Sequence, residues 1–504
     1  MNTGISQKQK YSSAWFRLFE FLPGVLAWGT LIGAIVFSGI LPVWTSLFII
    51  IFDTYWFLKT IFFSVHLRAS FKRMRANMRV NWQERLVQKN LPWQDVYHLV
   101  IFPMYQEPYE LVAETFNSLL AANYPADRMI VVLGTEGRAP EGEETAQRIQ
   151  EEFGGKFFRL LTTVHPADLP EEIPGKGSNE TWAGKQVKEK IIDPLGIPYE
   201  KVVVSVFDVD TQVFPEYFGI LTYEFLTCPH PQRSSYQPVP LFTNNIYQAP
   251  ALGRVIAFSS SFWHMIQQSR PERMATFSSH AMPFKALVEI GFWNTGIVSE
   301  DSQIFWQCFL HYDGNWRVVP ILYPVSMDAN VAPTFWQTAK NLYKQQRRWA
   351  WGGCENIPYM LEGFRRHPKM PFGKKLYRAF HYIEGFHSWA TNSIIIFALG
   401  WLPVLIGGSE FSVSVLSYNL PRITRFIMSF AMIGIVSSAF FAIILLPPKP
   451  KWFRKRHHIL YFFQWILMPI TMIVFGAFPA LEAQTRVMLG HKFRLGFWVT
   501  PKYR

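Results

Sequence analysis

From Phe21 to Phe52 the chain carries no charged residue. At about 1.5 Å per helical residue, that stretch exceeds a single crossing of a hydrocarbon core roughly 30 Å thick. Pro42 divides it, so the pattern predicts one membrane span over 21–41 and a second over 43–66. Three further charge-free runs, 385–409, 426–448 and 459–481, each predict another crossing. Pro469 and Pro479 interrupt the last run, and a re-entrant or split segment there would return the tail to the side it came from. Between these blocks the pattern changes. Short apolar, β-branched runs over 96–102, 129–133, 157–164 and 202–207 predict strands, and 108–122, 141–153, 283–290 and the stretch after Ser299 up to Tyr312 predict helices. Strands alternating with helices imply an α/β domain around a largely parallel sheet, whose ligands sit beyond the carboxyl ends of its strands. The stretch 227–280, rich in Pro, Ser and Gln, reads as an insertion.

Charge sharpens the layout. Residues 92–353 carry 20 basic and 28 acidic side chains, a net of −8, so the flanks hold +21 of the overall +13. A nucleic-acid binder needs its positive charge on the folded domain; here it lies beside apolar runs, where anionic lipid headgroups are, and nucleic acid is excluded as a partner. Arg68, Lys72, Arg73, Arg75, Arg79, Arg85 and Lys89 face Glu84 alone, and the loop from Lys449 to Arg456 is wholly basic. By the positive-inside rule both are cytoplasmic, and Lys8, Lys10 and Arg17 agree. Arg486, Lys492, Arg494, Lys502 and Arg504 also prefer the inside, although three crossings after the domain would leave the tail outside. Five spans are expected, with a sixth left open. No cleaved secretory signal is expected, because a second span follows the first at once.

The expected organisation is a membrane block at 1–66, a basic cytoplasmic linker at 67–92, a soluble domain at 93–353, an interfacial segment of mixed basic and aromatic residues at 354–384, and a second membrane block with a cytoplasmic tail at 385–504. Cys228, Cys308 and Cys354 have neither disulfide nor zinc spacing and are expected to be ordinary buried thiols.

The candidate chemistry lies just after strands. Asp208-Val209-Asp210 follows the strongest strand, where two carboxylates one residue apart can approach Mg²⁺ or Mn²⁺. Alone, such a tripeptide is more often an exposed turn. Ser299-Glu300-Asp301 opens a helix; the plain reading is an amino-terminal cap with acids at the positive dipole end. Gln345-Gln346-Arg347-Arg348-Trp349 supplies an amide, two guanidiniums and an indole, or simply one more basic run near a membrane. Asp53 and Lys59, inside the second span, are expected to face a cavity or one another, with snorkelling of Lys59 as the plainer alternative.

Taken together, DVD, SED and QQRRW in this order, within an α/β domain flanked by spans, resemble the family 2 glycosyltransferases. These are inverting nucleotide-sugar enzymes that include cellulose, chitin and hyaluronan synthases and ceramide glucosyltransferases. The resemblance covers about 96–353 and implies a GT-A domain inserted between transmembrane helices. It implies that Asp210 holds the metal, that Asp208 lies against the ribose and diphosphate of a UDP-sugar, and that Asp301 is the general base with Glu300 beside it. Gln345 and Arg348 would serve the diphosphate and Trp349 would stack on the acceptor sugar. Glu107, in the loop Phe102–Glu107, and Lys176, in Gly175-Lys176-Gly177, would contact the nucleotide. Glu136 stands where relatives carry Asp and would have to reach the uracil. The turn Phe277–His280, with His280, would face the acceptor, and the tail Gly496–Lys502 resembles a cytoplasmic segment of cellulose-synthase-like chains. The implied function is a processive synthase in a bacterial-type plasma membrane, polymerising a sugar from a UDP-sugar and passing the glycan through its own spans. The alternatives are transfer of one sugar to a lipid acceptor and, from another class, a catalytically silent membrane scaffold.

Overall fold

The computed structural model describes residues 14–496, 498–501 and 503. Lys8, Lys10, Phe497, Lys502 and Arg504, used in the charge and tail arguments, lie outside the described residues. Helices α1 (Ala14–Ile40) and α2 (Pro42–Asn77) form a hairpin. Pro42 takes the first turn of α2, where its missing N–H has no partner to lose. The helix runs on through the basic stretch to Asn77, so those charges ride on a helix rather than a loose linker.

After α3 (Trp82–Gln88) the sheet domain begins: β1 (Tyr97–Pro103), α4 (Tyr109–Leu120), β2 (Met129–Glu136), α5 (Glu141–Phe153), β3 (Arg159–His165), α6 (Lys176–Val187) and β4 (Val202–Val206). It continues with β5 (Gln212–Val213), α7 (Tyr217–Thr227), β6 (Ser234–Phe242), α8 (Ala251–Gln268), β7 (Ala281–Pro283), α9 (Phe284–Ile290), α10 (Glu300–His311) and β8 (Arg317–Met327). The eight strands lie in the order β3-β2-β1-β4-β7-β6-β8-β5. Strands β1 to β4 are mutually parallel, β7 and β5 run antiparallel to their neighbours, and β6 pairs with β8 in parallel, so the sheet is mixed. Alternate residues of the central strands enter different cores. Val100, Val131 and Val203 pack against α4, α5 and α7, whereas Ile101, Val132 and Val204 pack against α6, α9 and α10. Apolar residues at successive positions, each contributing about 1.5–3 kcal/mol when fully buried, are what a sheet covered on both faces requires.

The 227–280 stretch is not an insertion. It supplies β6 within the sheet and α8 packed on it. Pro238 and Pro240 argued against a strand, but β7 pairs with β6 only at Tyr236, and the register against β8 slips between Gln237 and Val239. The prolines therefore sit at and beyond a bulge, where a missing N–H costs little. The Gln268 side chain closes the gap, donating to the Gln237 carbonyl at 2.9 Å and accepting from the Leu322 amide at 3.0 Å.

Helix α11 (Phe335–Arg366) leads out of the sheet. It is followed by α12 (Phe372–Phe397), α13 (Leu402–Ile406), α14 (Gly408–Ser412), α15 (Val415–Ile444) and the long apolar stretch α16 (Lys455–Leu489). Four helices, α1, α2, α15 and α16, are long and apolar enough to cross a membrane, and α12 with α13, bent by 48°, makes a fifth candidate. The two ends of α16 have different partners. Before and at its start, Tyr247 of the sheet domain donates to the Pro447 carbonyl at 2.7 Å and rings against Phe453 and Tyr461. At its far end Tyr343 and Arg347 of α11 hold Glu482, and beyond it Asn245 donates to the Tyr503 carbonyl. The start of α16 is thus held by the sheet domain, its far end by α11, and the tail beyond it by the sheet domain again at Asn245. Helical turns of other pitch at Gln464–Leu467 and Ile473–Ala477 accompany Pro469 and Pro479.

Candidate active site

The parallel strands β1, β2 and β4 end together: Pro103 lies opposite Gly134, and Val206 opposite Ile101. The Phe207 amide still donates to the Ile101 carbonyl at 3.0 Å, so Asp208 is the first residue to leave the ladder. Its carboxylate accepts from Lys176 Nζ at 2.9 Å and from Ser278 Oγ at 3.2 Å. Lys176 opens α6, and its ammonium also lies 3.5 Å from Glu180, one turn along the same helix, and 3.6 Å from Glu300 at the start of α10. Gly177 makes that approach possible, since a Cβ there would stand 2.8 Å from Glu300 Cβ. Ser299 does not cap α10 as the sequence suggested. Its hydroxyl turns to α11, where Gly352 leaves the room: a Cβ on Gly352 would lie 1.8 Å from Ser299 Oγ. Gln303 donates to Asn356 Oδ1 at 3.0 Å and Asn356 donates to Ser302 at 2.9 Å, locking α10 to the helix that carries QQRRW.

Within that helix the motif divides. Arg348 sits close enough to Glu300 and Asp301 for its charge to oppose, in small part, the rise that burial imposes on both. Trp349 lies with its ring 6.0 Å from that of Phe242, and Gln345 shares their helix face one turn earlier. Arg347 points elsewhere, pairing with Glu482 of α16 at 2.6 Å, and Gln346 is buried.

The electrostatics follow from four carboxylates, Glu180, Asp208, Glu300 and Asp301, around one ammonium and one guanidinium. Burial raises Glu300 to about 7, with Lys176 opposing and Asp301 adding to the rise. Burial also raises Asp301, opposed by Lys176 and reinforced by Asp208, and it raises Glu180 well above its ordinary value. Burial alone would lower Lys176, but the surrounding carboxylates, Asp208 foremost, hold it well above its usual value. The site stays charged at Lys176 and short of positive charge overall.

Asp210 is fully buried, its carboxylate accepting from the Asp328 amide at 3.1 Å and its carbonyl from Asn244 Nδ2 at 2.9 Å. Asp208 and Asp210 offer hard oxygen donors suited to Mg²⁺ or Mn²⁺. Among the described residues no cluster of three or more His, Cys, Asp or Glu side chains could cage an ion. A cation there would complete its shell with diphosphate oxygens and water, which is the habit of Mg²⁺. The residues present therefore fit such an ion.

Three expected residues stand differently from the sequence reading. His280 is 1 % exposed, donates from Nδ1 to the Phe277 carbonyl at 3.0 Å, and is driven down to about 3 by burial and by Lys176. It is Ser278 of the same turn, not His280, that reaches the site, with Ser279 held at a φ of 66° to make the bend. Glu136 is 3 % exposed and already engaged by Asn179 at 2.9 Å, Arg138 at 3.1 Å and His165 at 3.5 Å, so its carboxylate orders the end of β2 instead of standing open to a base. Glu107 accepts from the Tyr105 amide at 2.7 Å within its own loop. Sequence reasoning missed Glu180, Asn244 and Asp328, and it placed Ser278 only within the turn Phe277–His280. Only Glu180, four residues after Lys176 on a helix, left a readable signal.

The family model described as "Glycosyl transferase family group 2" matches residues 203–478, more than half of the chain, taking in DVD, SED and QQRRW. The chain belongs to this family. No curated protein matches it. Among solved structures, a mannosyltransferase from Pyrobaculum calidifontis in complex with GDP-Man and Mn²⁺ is 12 % identical with a TM-score of 0.38, over 76 % of this chain and 99 % of that one. S. aureus TarS 1–349 is 13 % identical with a TM-score of 0.31, over 67 % of this chain and 90 % of that one. The glycosyltransferase thus consists of a mixed-sheet domain flanked by helices able to span a membrane.

Proposed function

We propose that this glycosyltransferase moves a sugar from a UDP-sugar to an acceptor hydroxyl with inversion, and that it does so repeatedly, elongating a glycan at the membrane. The observation that carries the reading is the convergence of Lys176, Asp208, Glu300 and Asp301 on one point at the carboxyl end of β4, with Arg348 beside it. Asp301 takes the proton of the acceptor hydroxyl. The freed oxygen attacks the anomeric carbon from the face opposite the diphosphate, the bond from that carbon to the diphosphate oxygen breaks, and UDP departs with the electron pair. A positioned base of this kind supplies typically 10²–10⁴-fold. The rise that burial imposes on Asp301 makes it a stronger base than an exposed Asp, a rise that Lys176 and Arg348 oppose. Both cations can also neutralise the departing diphosphate, Arg348 in bidentate fashion. Asp210, with Asp208, would hold Mg²⁺ or Mn²⁺, which when bound neutralises diphosphate charge. Trp349 offers the acceptor sugar a stacking face, and Ser278 steadies Asp208.

The half-buried ion pair of Lys59 with Glu384 at 2.5 Å, between two helices of the membrane block, supports repeated transfer, because charges at that depth commonly mark a substrate path. It replaces the expected pairing with Asp53, which is buried beside Thr424. The test has two parts. Asp301→Asn should bind donor as wild type and lose transfer; wild-type transfer removes the assignment of the base. Sizing the product made from labelled UDP-sugars in membranes should give a ladder of polymer, and a single-sugar lipid instead would replace the processive reading with its nearest alternative.

A further inference from the structure

Between α2 and α15 runs a groove of about 1120 Å³, away from the catalytic cluster. The two helices touch where Gly434 passes Thr60: a Cβ on that glycine would stand 2.8 Å from Thr60 Cγ2. Around this contact the walls are apolar, with Phe57 and Ile61 from α2 facing Phe430, Ile433 and Phe440 from α15. At the end nearest the sheet domain the lining changes to Arg68, Lys72, Arg75 and Arg79. Spacings of four, three and four residues put these on one stripe of α2 and the turn that follows it. All four are exposed, and none forms an ion pair among the described residues. The dimensions match one leaflet. Eleven residues separate Phe57 from Arg68, about 16 Å of helix, close to half of a roughly 30 Å hydrocarbon core. An apolar slot as deep as a leaflet, closed at one end by four unneutralised cations, is complementary to a molecule with a hydrocarbon tail and an anionic head.

We propose that this groove is a binding site for an anionic phospholipid, its phosphate on the Arg68–Arg79 stripe and an acyl chain between α2 and α15. The inference rests on the membrane character of α2 and α15 and is independent of the glycosyl-transfer reading. The bound lipid braces a joint. Asn77, between Arg75 and Arg79, donates to the Leu322 carbonyl of β8 at 3.1 Å, and β8 leads to Asp328, whose amide holds Asp210. A headgroup clamped on the stripe therefore fixes the end of the membrane helix to the strand that steadies the site.

The experiment uses the full chain reconstituted with phosphatidylglycerol and phosphatidylcholine, re-extracted in mild detergent, with retained lipid identified by mass spectrometry. Wild type should retain phosphatidylglycerol in preference to phosphatidylcholine. Taking one basic side chain as worth about five-fold at an anionic surface, Lys72→Gln with Arg75→Gln should lower that retention roughly thirty-fold. The charge-conserving pair Lys72→Arg with Arg75→Lys should keep it, which separates loss of charge from loss of fold. Ser437→Trp, which fills the apolar slot, should lower retention with the cations intact, and Lys156→Gln on the sheet domain, outside the groove lining, should leave it unchanged. Wild-type retention by the Gln pair, equal retention of the two lipids, full displacement by inorganic phosphate, or a Ser437→Trp variant that loses a chain–chain dimer while keeping its lipid would each overturn the proposal.

Discussion

Replacing Gly177 with Ala tests the site without touching a reacting group. The added Cβ would stand 2.8 Å from Glu300 Cβ, 3.2 Å from Glu300 Cγ and 3.4 Å from the Asn294 carbonyl. Ordinary carbon contacts begin near 3.5 Å, so α6 and the start of α10 must part by about 0.7 Å. Glu300 is held on its other side by α11 through the Gln303–Asn356 bond, and α6 through Asn179 to the end of β2 at 2.9–3.1 Å, so neither element can absorb the shift alone. Two terms oppose each other in stability. Ala favours a helix over Gly by up to about 1 kcal/mol, less at a terminal turn, whereas overpacking a tight seam costs typically 1–3 kcal/mol. The net is a modest loss of roughly 1 kcal/mol.

Turnover is the more sensitive reading. Displacing the Lys176 ammonium from Glu300 and Asp301 by most of an ångström disturbs the geometry on which attack depends, and a misplacement of about 1 Å can cost 10²-fold. The variant should show kcat reduced about 10- to 100-fold, a donor KM changed far less, and a melting temperature only slightly lowered. Gly155→Ala is the control, because nothing lies within 4 Å of a Cβ there. Steady-state kinetics on the purified protein with labelled donor measures all of this. Wild-type kcat in Gly177→Ala would refute the claim that the α6–α10 seam sets the catalytic geometry.

Asp210→Ala should abolish metal-dependent UDP release, measured as free UDP against added Mn²⁺; undiminished release removes the metal assignment. Burial raises Glu300 from 4.5 to about 7, so the native chain binds that proton more tightly than the unfolded chain. Its contribution to stability is present below about pH 4.5 and is lost as pH rises towards 7; Glu300→Gln should flatten that part of a melting-temperature profile, and an unchanged slope would be contrary. Arg347→Ala breaks only the half-exposed pair with Glu482, worth at most about 1 kcal/mol, and should leave donor KM near wild type while Arg348→Ala raises it; equal effects would dissolve the division of QQRRW.

The strands β1 to β4 and helix α5 were legible because they are buried on both faces or strongly periodic: β2 and β4 present no polar face to solvent at all. Strands β5 to β8 were not. Gln212–Val213 and Ala281–Pro283 are too short to carry a period, and β6 and β8 contain prolines that read as turns until the bulge and the one-sided pairing are seen. The site divided in the same way. The motif residues that the fold brings together, Asp208, Glu300, Asp301 and Arg348, were named from sequence. Their supports Asn244 and Asp328 were not, and Ser278 only within a turn, because each reaches the motif only through the register of strands the sequence did not reveal. His280 and Glu136 show a related effect: a polar residue beside the right strand end can equally point into the protein, as both do here.

The same hidden half of the sheet explains how the site meets the membrane. Strand β8 receives Asn77 of α2 at Leu322 and delivers Asp328 to Asp210, while β6 carries α8, which packs on α2 and on Trp465 of α16. The clustered acids thus hang between two kinds of support. Parallel strands hold Asp208 from the sheet side, and α11, tied to α16 through Arg347 and Glu482, holds Arg348 and Trp349 from the membrane side. A donor bound on the first and an acceptor arriving along the second would meet only while both stay in register, so a loss of the Arg347–Glu482 tie should act on acceptor use before it acts on donor binding. Donor hydrolysis without acceptor, compared with full transfer in Arg347→Ala, measures that difference. An equal fall in both would mean that α11 serves the donor alone.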